Sequence, residues 1–132
     1  MPAGYLYRFD GGAGKWKRDY HRADKVYNGA QGGLGTTVIF NNTFAGDFLI
    51  TAASLMIING SAGIGNAYMD IAVDGGGSLW TILGVASSPG SGSQISICFP
   101  MPLEIIPGRT ITIQTQAAMT AEGTIYGAQE TP

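Results

Sequence analysis

Few residues in this chain have the types and spacing that chemistry needs. His21 is the only histidine, so a zinc site would have to draw its other ligands from elsewhere. A Ser-His-Asp relay is not excluded by count. Yet His21 lies among Lys15, Lys17, Arg18, Arg22 and Lys25, where a solvated imidazole is the expectation. Asp47, Asp70 and Asp74 could offer oxygen ligands to calcium, but carboxylates beside turns are far more often simply hydrated. Gly11-Gly-Ala-Gly-Lys15 imitates a phosphate-binding loop. That loop needs a glycine five positions before its last glycine and Ser or Thr after the lysine; Phe9 and Trp16 stand there instead.

Cys98 is the single cysteine and cannot form an internal disulfide. It alternates with Ile97 and Phe99 and reads as a small buried hydrophobe, which fits a reducing compartment during folding. Asn41-Asn-Thr43 and Asn59-Gly-Ser61 match the glycosylation sequon. They carry no weight here, because the first ten residues lack a basic segment followed by an apolar one. No nucleophile–base set or carboxylate pair stands out. The expectation is a protein that is not an enzyme, with no cofactor and no metal.

The elements that would position any site are strands. Met69, Ile71 and Val73 alternate with Asp70, Ala72 and Asp74, the period of a half-buried strand. Gly75-Gly-Gly-Ser78 turns the chain, and Leu79 to Val85 runs back, apolar on both faces. Trp80 and Ile82 would share one face and Leu79, Thr81, Leu83 and Val85 the other, as in a central strand. Before this hairpin lie Thr37–Phe40 and a bent strand, or two close ones, from Asp47 to Asn59. After it, Ser87–Ser93 is a polar connector long enough to change sheets.

Gln94–Phe99 would put Ile95, Ile97 and Phe99 on one face, and Pro100 and Pro102 then limit pairing. Pro107-Gly108 has the form of a type II turn. Arg109–Gln116 alternates, with Ile111 and Ile113 inward and Thr110, Thr112 and Gln114 outward, and residues 123–127 close the body. Seven or eight short strands separated by turn signals predict an all-β, antiparallel two-sheet sandwich of the jelly-roll kind over 36–132. No internal repeat is evident.

Residues 1–35 read as a separate N-terminal arm. Tyr5, Tyr7 and Phe9 alternate toward a Gly-rich turn and Lys15-Trp16-Lys17-Arg18 alternates after it, an aromatic hairpin of a kind that is marginal alone in water. His21–Gly35 reads as a linker, with a turn of helix around Arg22–Tyr27. Six cations against three carboxylates give residues 1–25 a charge of +3, while Arg109 against six carboxylates gives the rest −5. Interleaved aromatics and cations could stack on single-stranded nucleic acid, but six cations make a modest phosphate footprint. Docking on an acidic protein surface suits the same residues better.

Composition bounds the remainder. The 132 residues suit one domain with an appendage. Hydrophobic residues at 45% can build a core, while charged residues at 12% are half the usual ~25%. The exterior must therefore be neutral and polar, or partly covered by other protein. No apolar run reaches the roughly 18–20 residues of a membrane helix.

Two stretches carry a resemblance. Gly4-Tyr-Leu-Tyr-Arg-Phe-Asp-Gly-Gly-Ala-Gly-Lys-Trp16 resembles aromatic hairpins of bacteriophage structural proteins. Pro107-Gly-Arg-Thr-Ile-Thr-Ile-Gln-Thr115, with Ile125-Tyr-Gly127, is similar to the ending of small jelly-roll modules on virion surfaces. The resemblance implies a virion location after assembly in the host cytoplasm, with capsid decoration or cementing as the role. It also implies the major capsid protein or another virion protein as partner, and a homo-oligomer, often a trimer. Tyr5, Tyr7, Phe9 and Trp16 would supply apolar anchors, and Lys15, Lys17, Arg18, Arg22 and Lys25 would steer the arm. The alternative is a carbohydrate- or receptor-binding module of a fibre, for which the body offers chiefly Tyr68 and Tyr126 as exposed aromatics.

Overall fold

The computed structural model describes residues 24–130 and, before them, the backbone of two strands, β1 (Tyr7–Asp10) and β2 (Lys15–Arg18). These two pair antiparallel, Phe9 opposite Trp16 and Tyr7 opposite Arg18, as the expected hairpin requires.

Eight further strands build the body: β3 (Lys25–Gly32), β4 (Gly35–Asn41), β5 (Phe48–Ile58), β6 (Gly65–Val73), β7 (Ser78–Ser87), β8 (Gly92–Ile105), β9 (Arg109–Thr115) and β10 (Thr120–Gln129). They form two four-stranded antiparallel sheets in the orders β3-β10-β5-β8 and β4-β9-β6-β7. Among these strands β6 to β7 is the one connection that stays within a sheet; every other crosses to the opposite layer. That alternation, with eight strands in two sheets, is the jelly-roll arrangement. The fold class is the one the alternation of residues predicts.

The core lies between the sheets. From one side come Phe48, Ile50, Leu55 and Ile57 of β5 with Ile125 of β10; from the other, Met69 and Ile71 of β6 with Ile111 and Ile113 of β9. Each is at most 5% exposed. Burial of one such side chain stabilises by roughly 1.5–3 kcal/mol, so this two-layer contact is the main source of stability. Thr110 and Thr112 point away from the core, as their parity requires. They are nonetheless buried, beside Ala72 and Asp70 in the middle of their sheet. The Pro107-Gly108 turn forms, with Gly108 at φ 84° and the Arg109 amide donating to the Ile106 carbonyl.

The linker expected over 21–35 does not describe residues 25–32, and Lys25–Tyr27 is strand rather than helix. β3 pairs with β10 from Lys25–Gly127 to Gly32–Thr120. Its Tyr27 ring stands 4.6 Å from Phe40 and 5.6 Å from Phe48, in an aromatic cluster that seals one end of the core. The inward positions of β3 are Tyr27, Gly29 and Gln31, which show no apolar period. At Gly29 the space of a side chain is filled by Ile39, whose Cγ2 lies 2.4 Å from where a Cβ would stand.

Candidate docking surface

β7 is an edge strand, not the central one its apolar run suggests. Its ladder with β6 carries two bulges. Pairing with β6 steps from Met69–Leu83 to Asp70–Thr81, leaving Ile82 extra, and from Ile71–Trp80 to Ala72–Ser78, leaving Leu79 extra. Bulges twist an edge strand and re-aim its side chains. Here they bracket Trp80 and Thr81, and they move Trp80 onto the inward side with Leu83 and Val85. Asp70, 3% exposed, holds the arrangement by accepting from Thr81 Oγ1 at 2.8 Å and Ser78 Oγ at 3.1 Å. Trp80 is thus aimed at the rim of the core but is 64% exposed.

β8 is the matching edge of the other sheet. Its pairing with β5 jumps from Ala52–Cys98 to Ile50–Leu103, so Phe99 to Pro102 lie opposite Thr51 alone. Prolines fit there because they have no N–H to give to a ladder. Ile95 and Ile97 pair with the buried Leu55 and Ala53 and so face inward, yet both remain more than a third exposed.

Among the described residues the sandwich is open between these two edges. A groove of about 590 Å³ lies there, with Trp80 and Ile82 on one wall, Phe99, Pro102 and Leu103 on the other, and Ile71 also in its lining. Among the described residues Glu104 is the only charged side chain lining it, and the Thr81 hydroxyl donates its hydrogen bond to Asp70. The mouth is an unfinished part of the core.

The residues singled out in the sequence are distributed differently. Tyr5, His21 and Arg22 lie outside the described residues, as do the side chains of Tyr7, Phe9, Lys15, Trp16, Lys17 and Arg18. Lys25 is the exposed first residue of β3. Cys98 is exposed rather than buried, because it shares the outward parity of Ala52 on an edge strand. Tyr68 lies over its register partner Gly84, and Tyr126 is on the outer face of its sheet, paired with Val26. Among the described residues no three His, Cys, Asp or Glu side chains come together as a metal site would need, so Asp47, Asp70 and Asp74 are not gathered. No helix there is long and apolar enough to cross a membrane. Trp80 is the aromatic that sequence reasoning misplaced. The double bulge that sets its face leaves no period-two signal.

No family model and no curated protein matches the chain. Solved structures with a similar shape include the cyanophage Pam1 capsid asymmetric unit, at 11% identity and TM-score 0.42 over 78% of this chain and 83% of that one. Eiger TNF from S. frugiperda is similar at 9% identity and TM-score 0.42, over 84% and 97% of the two chains. The coat protein of Tobacco streak virus is similar at 8% identity and TM-score 0.35, over 100% and 92%. The strand order, and not these scores, establishes the architecture.

Proposed function

We propose that the chain is a virion structural protein, a jelly-roll subunit that decorates or cements a capsid and works by association rather than catalysis. The observation that carries this reading is the open mouth between β7 and β8, where core-facing apolar side chains stand exposed on a body with little charge. Such a surface is suited to being covered by protein. The division of charge supports it from the other side. The arm at +3 is fitted to an acidic lattice, and its hairpin holds the motif that resembles phage structural proteins.

The test is co-sedimentation of the purified chain with particles of the encoding virus prepared without it. The chain is expected to pellet with them, and to lose binding at high salt or when Lys15, Lys17 and Arg18 are changed to Glu. Absence from the pellet at low salt would count against the reading, as would hydrolase activity on cell-wall sugars.

A second reading has one specific observation behind it. Trp80 stands exposed at the rim of a groove that also holds Glu104, so a sugar ring could stack there. Binding of defined oligosaccharides on a glycan array, abolished by Trp80→Ala, would favour a carbohydrate-recognising module.

A further inference from the structure

We propose that the end of the sandwich opposite the start of β3 contacts lipid, inserting its aliphatic tips into the surface of an electrically neutral bilayer. The inference stands on that end alone and does not depend on a virion role.

Charge is the first ground. Register places the β3–β4 turn at 33–34 and the loops 59–64, 88–91 and 116–119 together at one end. Gly32 lies opposite Thr120, Thr120 opposite Ile58 and Ile58 opposite Gly92 in one sheet. Gly35 lies opposite Thr115 and Gly65 opposite Ser87 in the other. None of these four loops holds a charged residue. Leu34 and Ile64 are their tips, 74% and 73% exposed, and Ile58, 61% exposed, ends β5 beside them. Charge gathers at the other end instead, where Asp24, Lys25, Asp47, Asp74, Arg109 and Glu130 open or flank their strands. Along the described strands Glu122 comes closest to the neutral end. It lies on the outer face of β10 and accepts from Asn28 Nδ2 at 3.0 Å.

Hydrogen bonding is the second ground. The Gly33 amide donates to the Met119 carbonyl at 2.8 Å, and the Gly33 carbonyl accepts from the Thr115 hydroxyl. Asn59 is wholly buried; its Nδ2 donates to the Gly63 and Ser87 carbonyls and its Oδ1 accepts from Ser61. The Gly90 amide donates to the Asn59 carbonyl at 2.7 Å, and the Ser91 hydroxyl to the Ser88 carbonyl at 2.9 Å. Polar groups already paired in this way enter a poorly hydrated region with little penalty.

The residue types then select the occupant. Protein hot spots are enriched in Trp, Tyr and Arg, and these loops contain none of them. They also lack the charges that steer and select a protein partner. A sugar needs convergent polar groups, and here the loop amides and carbonyls are bonded to each other. Branched aliphatic tips on an uncharged end suit a fluid hydrocarbon surface, which adapts to their shape. Three side chains of four carbons, about two-thirds exposed, offer less hydrocarbon than one myristoyl chain, which alone binds with roughly 10⁴ M⁻¹. One copy is therefore expected to bind reversibly, on the order of 10³ M⁻¹, and arrayed copies more tightly.

The full chain should be sedimented with vesicles of phosphatidylcholine over a wide range of lipid concentration. Leu34→Asp, Ile64→Asp and the control Gly77→Asp, a change in open space at the charged end, are run beside it. About half of the chain is expected in the pellet near 1 mM lipid, at low and high salt alike. Each tip variant should bind at least tenfold more weakly, and the control as the parent chain does. No pelleting at any lipid concentration would overturn the proposal, as would binding that the tip variants leave intact. Pelleting only with phosphatidylserine vesicles, and lost in salt, would assign the contact to the basic arm and overturn it too. If no vesicle binds but the tip variants no longer pellet with virus particles, the end belongs to a protein partner. An environment-sensitive dye on Ile64→Cys or Gly77→Cys, each in a Cys98→Ser chain, gives an answer that keeps the tips uncharged. A blue shift with neutral vesicles at position 64 and none at 77 supports the proposal; no shift, or the same shift at both, overturns it.

Discussion

Asn42 and Asn59 hold the two ends of β5 by the same set of hydrogen bonds. Asn42 Nδ2 donates to the Gly46 carbonyl at 3.1 Å and the Ile105 carbonyl at 2.7 Å, while its Oδ1 accepts from the Phe44 amide. Asn59 Nδ2 donates to Gly63 at 2.9 Å and Ser87 at 2.8 Å, and its Oδ1 accepts from the Ser61 amide. The backbone repeats the pattern. The Asn42 amide donates to Arg109 and its carbonyl accepts from Gly108; the Asn59 amide donates to Ser91 and its carbonyl accepts from Gly90. Each asparagine therefore closes its own loop and clasps it to a Pro-Gly turn, Pro107-Gly108 at one end of the sandwich and Pro89-Gly90 at the other. The two carriers read Asn-Thr-Phe-Ala-Gly and Asn-Gly-Ser-Ala-Gly.

Replacing either asparagine by aspartate keeps the shape but removes the Nδ2 donor. Two carbonyls then lose their partner, at a buried site where a carboxylate is also poorly solvated. A loss of about 2–3 kcal/mol is expected at each position. As the sites lie at opposite ends, the double variant should lose about the sum. Urea unfolding of Asn42→Asp, Asn59→Asp and the pair measures this.

Gly127 borders the bulge at which β10 shifts register against β5. A Cβ there would lie 2.1 Å from the Leu49 carbonyl oxygen and 2.8 Å from the Phe48 ring. Backbone cannot yield as a side-chain tip can. Gly127→Ala should lower stability by about 2–3 kcal/mol, whereas Gly60→Ala, with nothing within 4 Å, should change it little. Thermal melts of the two variants make the comparison.

Truncation is expected to separate arm from body before Asp24 rather than at residue 35, because β3 pairs with β10. A chain starting at Asp24 retains β3 and should give the circular dichroism of a folded β protein. A chain starting at Thr36 loses the β3 ladder on β10 and removes Tyr27 from Phe40 and Phe48. It should aggregate or unfold, and chromatography with circular dichroism will distinguish the two products.

These results also mark what a sequence can carry. The sandwich was legible because β6 and β9 alternate and Pro-Gly and Gly-rich signals separate the strands. β3 was not, because Gly29 and Gln31 occupy inward positions where a period would need apolar residues. Its glycine leaves room for Ile39, and Gln31 accepts from the Thr37 hydroxyl. The docking surface was hidden for a related reason. Bulged residues Ile82 and Leu79 break the alternation around Trp80, so an edge strand reads as a central one and its inward-facing tryptophan is assigned to the wrong side. The paired asparagines escaped because their likeness lies in hydrogen bonding, over only five residues at each site.

The most direct test is amide hydrogen exchange of the full chain, free and bound to virus particles prepared without it. If the molecule works by association through its open mouth, protection should grow on binding in 78–87 and 92–105 while β3, the opposite edge of the β8 sheet, stays unchanged. Exchange that binding leaves unaltered in β7 and β8, or new protection confined to β3 and β4, would contradict it.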